Sequence, residues 1–136
     1  MDREQLIQLI ETIKIDKDKF WILSSSALVL RKLYDKANDL DIAVTREGLE
    51  QLKKQYDLLE KENGWFKVND KIECCVDEYE DYKVEKTKEY NLESLEKYFE
   101  YLKSSKREKD IIKYKIVKEE LLKRNIIIND AYNEKV

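Results

Sequence analysis

The chain has 136 residues, 42% of them charged and 42% hydrophobic, and a formal net charge of −3. That length suits one domain of ~100–200 residues, and the composition is that of a folded, soluble chain. Histidine and proline are absent and the glycines are Gly48 and Gly64, which excludes Ser-His-Asp and Cys-His catalysis, imidazole metal sites, and glycine-rich phosphate or dinucleotide loops.

Asp2 and Gln5 predict a capping box. Leu6, Ile10 and Ile13 follow at helical spacing, so an amphipathic helix is expected over 3–14. The start, MDREQLIQLIETIK, lacks the cationic opening and apolar run of a secretory leader. Residues 19–24 (KFWILS) predict a short strand. Ser24, Ser25 and Ser26 are N-cap residues for a largely buried helix over 27–34. Leu40, Ile42 and Val44 alternate with Asp39, Asp41 and Ala43, the period of a strand with one apolar face. Thr45 caps a further helix carrying Leu49, Leu52 and Tyr56. Strands are expected over 58–60, 65–68 and 71–76, with turns at Asn63-Gly64 and Asn69-Asp70.

Cys74 and Cys75 lie in the last of these strands. Neighbouring cysteines seldom bridge each other, and two ligands do not make a zinc site. They read as small apolar residues in a reduced, cytoplasmic setting. No segment approaches the ~18 apolar residues of a membrane span, so no membrane partner is expected.

Further on, Asn91 predicts the cap of a helix carrying Leu92, Leu95, Tyr98, Phe99 and Leu102. Ser105 and Glu108 predict a second capping box, opening a helix to about Arg124 with a stripe of Tyr114, Val117 and Leu121. Helices and strands alternate first and two helices follow. This predicts an α/β (α+β) fold, a mixed sheet flanked by helices with a helical C-terminal tail. A single domain over 1–136 is expected, with the core at 1–88 and the tail at 89–124.

Asp39 and Asp41 are two apart on a strand, so both carboxylates leave the same face. Their mutual repulsion favours a divalent cation, and Mg²⁺ favours one or two carboxylates plus substrate phosphates. The competing reading is a solvated acidic strand face. Just upstream, Ser24 to Ser26 open a helix, whose unpaired N–H groups and hydroxyls suit a phosphate. The competing reading there is plain N-capping.

Ser24-Ser25-Ser26-Ala27-Leu28, followed by Asn38-Asp39-Leu40-Asp41-Ile42, resembles the signature of the DNA polymerase β-like nucleotidyltransferase superfamily. Lys106-Arg107-Glu108-Lys109-Asp110 is similar to the Arg-x-Lys-Asp helix start of its small bacterial members, the abortive-infection toxin and antibiotic nucleotidyltransferase types. The resemblance spans roughly residues 19–122. It implies a nucleotidyltransferase-like sheet and a third carboxylate on a later strand. Glu73 is the best residue for that role and Asp77 the alternate. It implies Mg²⁺ (or Mn²⁺) held by Asp39, Asp41 and Glu73. It also implies transfer of a nucleoside monophosphate from a nucleoside triphosphate to a hydroxyl of an antibiotic, RNA, protein or metabolite. Two departures stand out: Ser24 replaces the usual glycine, and an aspartate common after the Lys-Asp pair is replaced near Lys113. They support the alternative of a catalytically degenerate nucleotide-binding or regulatory module, such as half of a toxin–antitoxin pair.

The stretch 103–124 is net positive within an acidic chain. Lys103, Arg107 and Lys109 are expected either to face the triphosphate or a polyanionic acceptor, or to be a solvated helix face.

Overall fold

The structure is a computed structural model in which residues 1–124 are described. These residues divide into two compact units, Met1–Glu93 and a second beginning at Ser94.

The first unit is built on a seven-stranded sheet. Its strands are β1 (Phe20–Ile22), β2 (Leu40–Val44), β3 (Leu59–Glu60), β4 (Trp65–Lys67), β5 (Ile72–Val76), β6 (Val84–Lys86) and β7 (Asn91–Glu93). They lie in the order β3-β4-β5-β2-β1-β7-β6. The pairs β2–β5 and β1–β7 are parallel, and the other neighbours are antiparallel. Three helices accompany the sheet: α1 (Arg3–Glu11), α2 (Ser24–Leu30) and α3 (Arg46–Lys53).

Alternation along the central strands sorts their side chains between two faces. Phe20, Ile22, Leu40, Ile42, Val44, Ile72 and Cys74 join Leu6, Ile10, Ala27, Val29, Leu49 and Leu52 in the main core. The intervening residues Trp21 and Ala43 form a smaller cluster with Val84, flanked by Leu23, Cys75 and Tyr79. The Asp2–Gln5 capping box is present as expected. Thr45 caps α3 by accepting the Gly48 N–H at 3.1 Å. Gly48 is required by packing: a Cβ there would stand 2.6 Å from the Lys19 carbonyl oxygen.

The second unit contains α4 (Leu95–Ser104) and α5 (Glu108–Lys123). Phe99 of α4 stacks on Tyr114 of α5 with ring centres 5.2 Å apart. Val117 and Leu121 of the expected stripe are buried. Among the described residues no helix is long and apolar enough to cross a membrane.

Several sequence expectations are corrected. Residues 91–93 form a strand, not the start of a helix, because Leu92 pairs with Ile22 of β1. Tertiary pairing here overrides the local preference of Asn91 for a cap. The cap of α4 is Ser94, whose hydroxyl accepts the Lys97 N–H at 3.1 Å. β6 was not foreseen. α1 ends at Glu11, α2 begins at Ser24 and ends at Leu30, and α5 begins at Glu108 after Arg107 with no side-chain cap. The Ser105 hydroxyl accepts the Arg107 N–H at 3.3 Å, just before the helix, and donates to the Asp110 carboxylate at 2.6 Å, so it bonds no amide of the first turn.

Candidate functional site

The site is assembled on β2, in the middle of the sheet. Leu40, Ile42 and Val44 are fully buried and fix the strand's orientation. Asp41 then projects from the opposite face, half-buried, and Asp39 stands exposed one residue before the strand. Backbone bonds hold this segment from both sides. Leu23 N–H donates to the Asp41 carbonyl and Leu40 N–H to the Lys71 carbonyl, each at 2.8 Å.

Glu73 lies on β5, the parallel neighbour of β2. The register sets Asp41 directly against Glu73. In-register residues of neighbouring strands share a face and stand about 4.8 Å apart. Asp77, four residues further along, is about 13 Å away at 3.3 Å per residue. Its carboxylate is engaged by the Lys83 ammonium at 3.0 Å.

The structure adds a residue that the sequence did not single out. Lys61, between β3 and the turn Glu62–Gly64, donates from its ammonium to Glu73 Oε2. Its pKa is raised, first by this hydrogen bond and then by the charges of Glu73, Asp41 and Asp39, against some desolvation. A lone lysine in a lysine-rich sequence carries no signal. It is found through the sheet order, which puts β3 two strands from β5.

Asp41, Lys61, Glu62, Asn63, Trp65 and Glu73 line an open cleft of about 470 Å³. Among the described residues no group of three or more Asp, Glu or Cys side chains forms a ready-made metal cage. The donor chemistry of Asp41 and Glu73 suits a hard cation that takes two carboxylates and completes its shell with water and phosphate oxygens. A cation, the Lys61 ammonium, already stands against this pair. Cys74 and Cys75 next to Glu73 are free. Burial pushes their pKa values to about 12 and about 11, with nearby Asp77, Asp41 and Glu93 adding to the shift at Cys75. Both are protonated thiols at neutral pH and poor metal ligands or nucleophiles.

The serines do three different things. Ser24 takes a left-handed conformation, φ 54°, at the position where the resembled signature carries glycine. Its N–H donates to the Glu93 carboxylate at 2.9 Å. Ser26 is buried, and its hydroxyl donates to the Asp39 carbonyl at 2.8 Å. That bond ties the start of α2 to the entry of the acid strand. Ser25 is half-buried. The expectation that serine side chains cap α2 is therefore overturned: the N-cap is Leu23, without a side-chain bond.

Lys103, Arg107 and Lys109 belong to the second unit. The Lys103 ammonium lies 5.6 Å from the centre of the Phe99 ring. The Arg107 guanidinium bonds Asp110 at 3.1 Å, so it is an internal partner of a buried carboxylate. Lys109 is exposed in the first turn of α5.

The backbone is similar to that of the crystal structure of ANT(2")-Ia in complex with adenylyl-2"-tobramycin. The TM-score is 0.63 at 17% identity, covering 87% of this chain and 90% of that one. The fold is that of a nucleotidyltransferase. No protein-family profile and no curated sequence matches the chain. Within this fold, Asp41 and Glu73 occupy neighbouring parallel strands at the wall of a cleft, and Asp39 stands just before β2, two residues ahead of Asp41.

Proposed function

We propose that the chain is a metal-dependent nucleotidyltransferase that moves a nucleoside monophosphate from a nucleoside triphosphate to a hydroxyl acceptor. The observation that carries this reading is the register of Asp41 against Glu73 beside an open cleft, within a nucleotidyltransferase fold. Asp39, Asp41 and Glu73 would hold Mg²⁺ or Mn²⁺. A bound divalent ion supplies charge neutralisation at the triphosphate and polarises its α-phosphorus.

The side chains divide the remaining work. Glu73 is held on a central strand and receives the proton of the acceptor hydroxyl. The acceptor oxygen bonds to the α-phosphorus, the bond from that phosphorus to the β-phosphate oxygen breaks, and pyrophosphate leaves. Trp65 offers an apolar wall of the cleft to one of the two substrates. Asp41, Glu62 and Glu73 line the cleft against a single cation, Lys61. That balance disfavours a polyanionic acceptor such as RNA and favours a neutral or cationic hydroxyl compound.

A second reading has its own observation. The Ser24 amide, expected to meet phosphate, is already bonded to Glu93. A chain that binds a ligand without transfer, as a regulatory or toxin–antitoxin module, would tolerate that arrangement. The experiment is transfer of label from α-³²P nucleoside triphosphates to a panel of hydroxyl acceptors with Mg²⁺. The proposal expects labelled acceptor and released pyrophosphate, both lost in Asp41→Asn. Nucleotide binding with no transfer to any acceptor class favours the second reading.

A further inference from the structure

The turn between β3 and β4 aims a cation at the acids. Asn63 and Gly64 take φ values of 64° and 78°, conformations that favour asparagine and glycine. They reverse the chain tightly enough for the Lys61 N–H to donate to the Trp65 carbonyl at 2.7 Å. From this anchored position the Lys61 side chain reaches past β4 to Glu73 on β5.

The lysine–carboxylate pair just past the end of β5 differs in burial. Lys83, bonded to Asp77 and Glu80, has a side chain 11% exposed. The Lys61 side chain is 47% exposed and that of Glu73 24%. Ion pairs so open to water are weak, because solvent screens them and a flexible stem must be held in one geometry. A compact ammonium on such a stem can also swing away without breaking a fixed fork of bonds, as an arginine would. The Glu73 partner is thus exchangeable, whereas the Asp77 partner is built in.

We infer that Lys61 is a tethered counter-ion: it occupies the cation position of the Asp41–Glu73 pair until a divalent cation displaces it, and so sets the metal affinity of the site. This rests on the metal-binding reading of the same acids. In the metal-free protein Lys61 relieves the repulsion between Asp41 and Glu73. On metal binding its charge must leave or be repelled, which weakens the metal. The displaced ammonium remains at the rim of the cleft.

The test is Mn²⁺ binding, read by electron paramagnetic resonance without nucleotide, together with melting curves of the metal-free proteins. The variants are Lys61→Gln, Lys61→Arg and Asp41→Asn. Lys61→Gln is expected to bind Mn²⁺ about three- to tenfold more tightly, the range set by losing a screened ion pair and a like-charge repulsion. It should also melt lower without metal. Lys61→Arg keeps the charge and should bind as wild type does or more weakly. If Lys61→Gln binds Mn²⁺ no better than wild type while Asp41→Asn loses binding, Lys61 is only a structural tie and the inference falls, with the metal reading intact. If neither wild type nor Lys61→Gln binds Mn²⁺, the metal reading itself falls and takes the inference with it.

Discussion

Asp41 of β2 and Glu73 of β5 face each other across a parallel strand pair, and Lys61 closes the arrangement from the far side of β4. The backs of both strands are fixed by Leu40, Ile42, Ile72 and Cys74, all fully buried. The acids are therefore held by the sheet itself, and changing their charge need not change their position.

Asp39→Asn and Asp41→Asn should each keep the fold, seen as an unchanged circular dichroism spectrum. Wild type with Mg²⁺ and nucleotide at about 100 times the dissociation constant should gain about 2.7 kcal/mol. Asp41→Asn should lose that gain. Equal ligand-induced stabilisation of wild type and both variants would remove the acids from the site.

Glu73 and Asp77 should separate cleanly. Glu73→Gln should lower turnover by about 10²-fold or more, the loss expected for a general base, and affect nucleotide binding less. Asp77→Asn should leave turnover in place. It should instead lower stability by about 1–2 kcal/mol, because Lys83 loses a partner in a largely buried position. A turnover loss shared equally by the two variants would contradict this division.

Ser24→Gly should stabilise the protein by up to about 1 kcal/mol. A side chain at φ 54° carries a left-handed strain of ~1–2 kcal/mol, partly offset by the greater freedom of glycine when unfolded. A lower melting temperature in Ser24→Gly would show that the Ser24 side chain makes a contact worth more than that strain.

Asp110 should be the most sensitive charged residue of the second unit. It is 2% exposed and accepts from Ser105 and Arg107. Asp110→Ala should cost about 3–5 kcal/mol, the penalty for breaking a buried charged network from one side. Lys109→Ala, at an exposed position, should change stability by less than about 0.5 kcal/mol. Comparable losses from the two would contradict the placement of Asp110.

Lys113 gives a pH signature. Burial lowers its pKa below 10.5, with Lys109 and Arg107 adding to the effect and Asp110 opposing it. The folded state then releases this proton before the unfolded chain does, so stability rises with pH through that window and levels off above 10.5. Urea melts from about pH 8 to 10.5 should show wild type gaining on Lys113→Met. A constant difference would show an unshifted lysine.

The legible part of this molecule lies where residues act through local periodicity. The Asp2–Gln5 cap, the Leu40–Val44 alternation and the Thr45 cap all depend on residues within four positions, and the structure has them. The illegible part depends on pairing between distant segments. Asn91–Glu93 reads as a helix start until Leu92 finds Ile22, some seventy positions upstream. Ser105 reads as a cap of the helix's first turn until its hydroxyl, which accepts only the Arg107 N–H just before α5, is found donating to Asp110. The two aspartates were visible because their spacing matches the strand period. Glu73 is singled out only through the family resemblance, which implies a third acid on a later strand and leaves Asp77 as the alternate. The contacts of Lys61 and Glu93 depend on sheet order and register, which no local pattern encodes.

The most direct measurement is equilibrium binding of radiolabelled nucleoside triphosphates to wild type and Asp41→Asn, each with Mg²⁺ and with a chelator. Saturable binding by wild type that requires Mg²⁺ and is absent in Asp41→Asn is the result predicted. Binding that is unaffected by the chelator and retained in Asp41→Asn, or no binding of any triphosphate by wild type, would contradict a metal-dependent nucleotide site at Asp41 and Glu73.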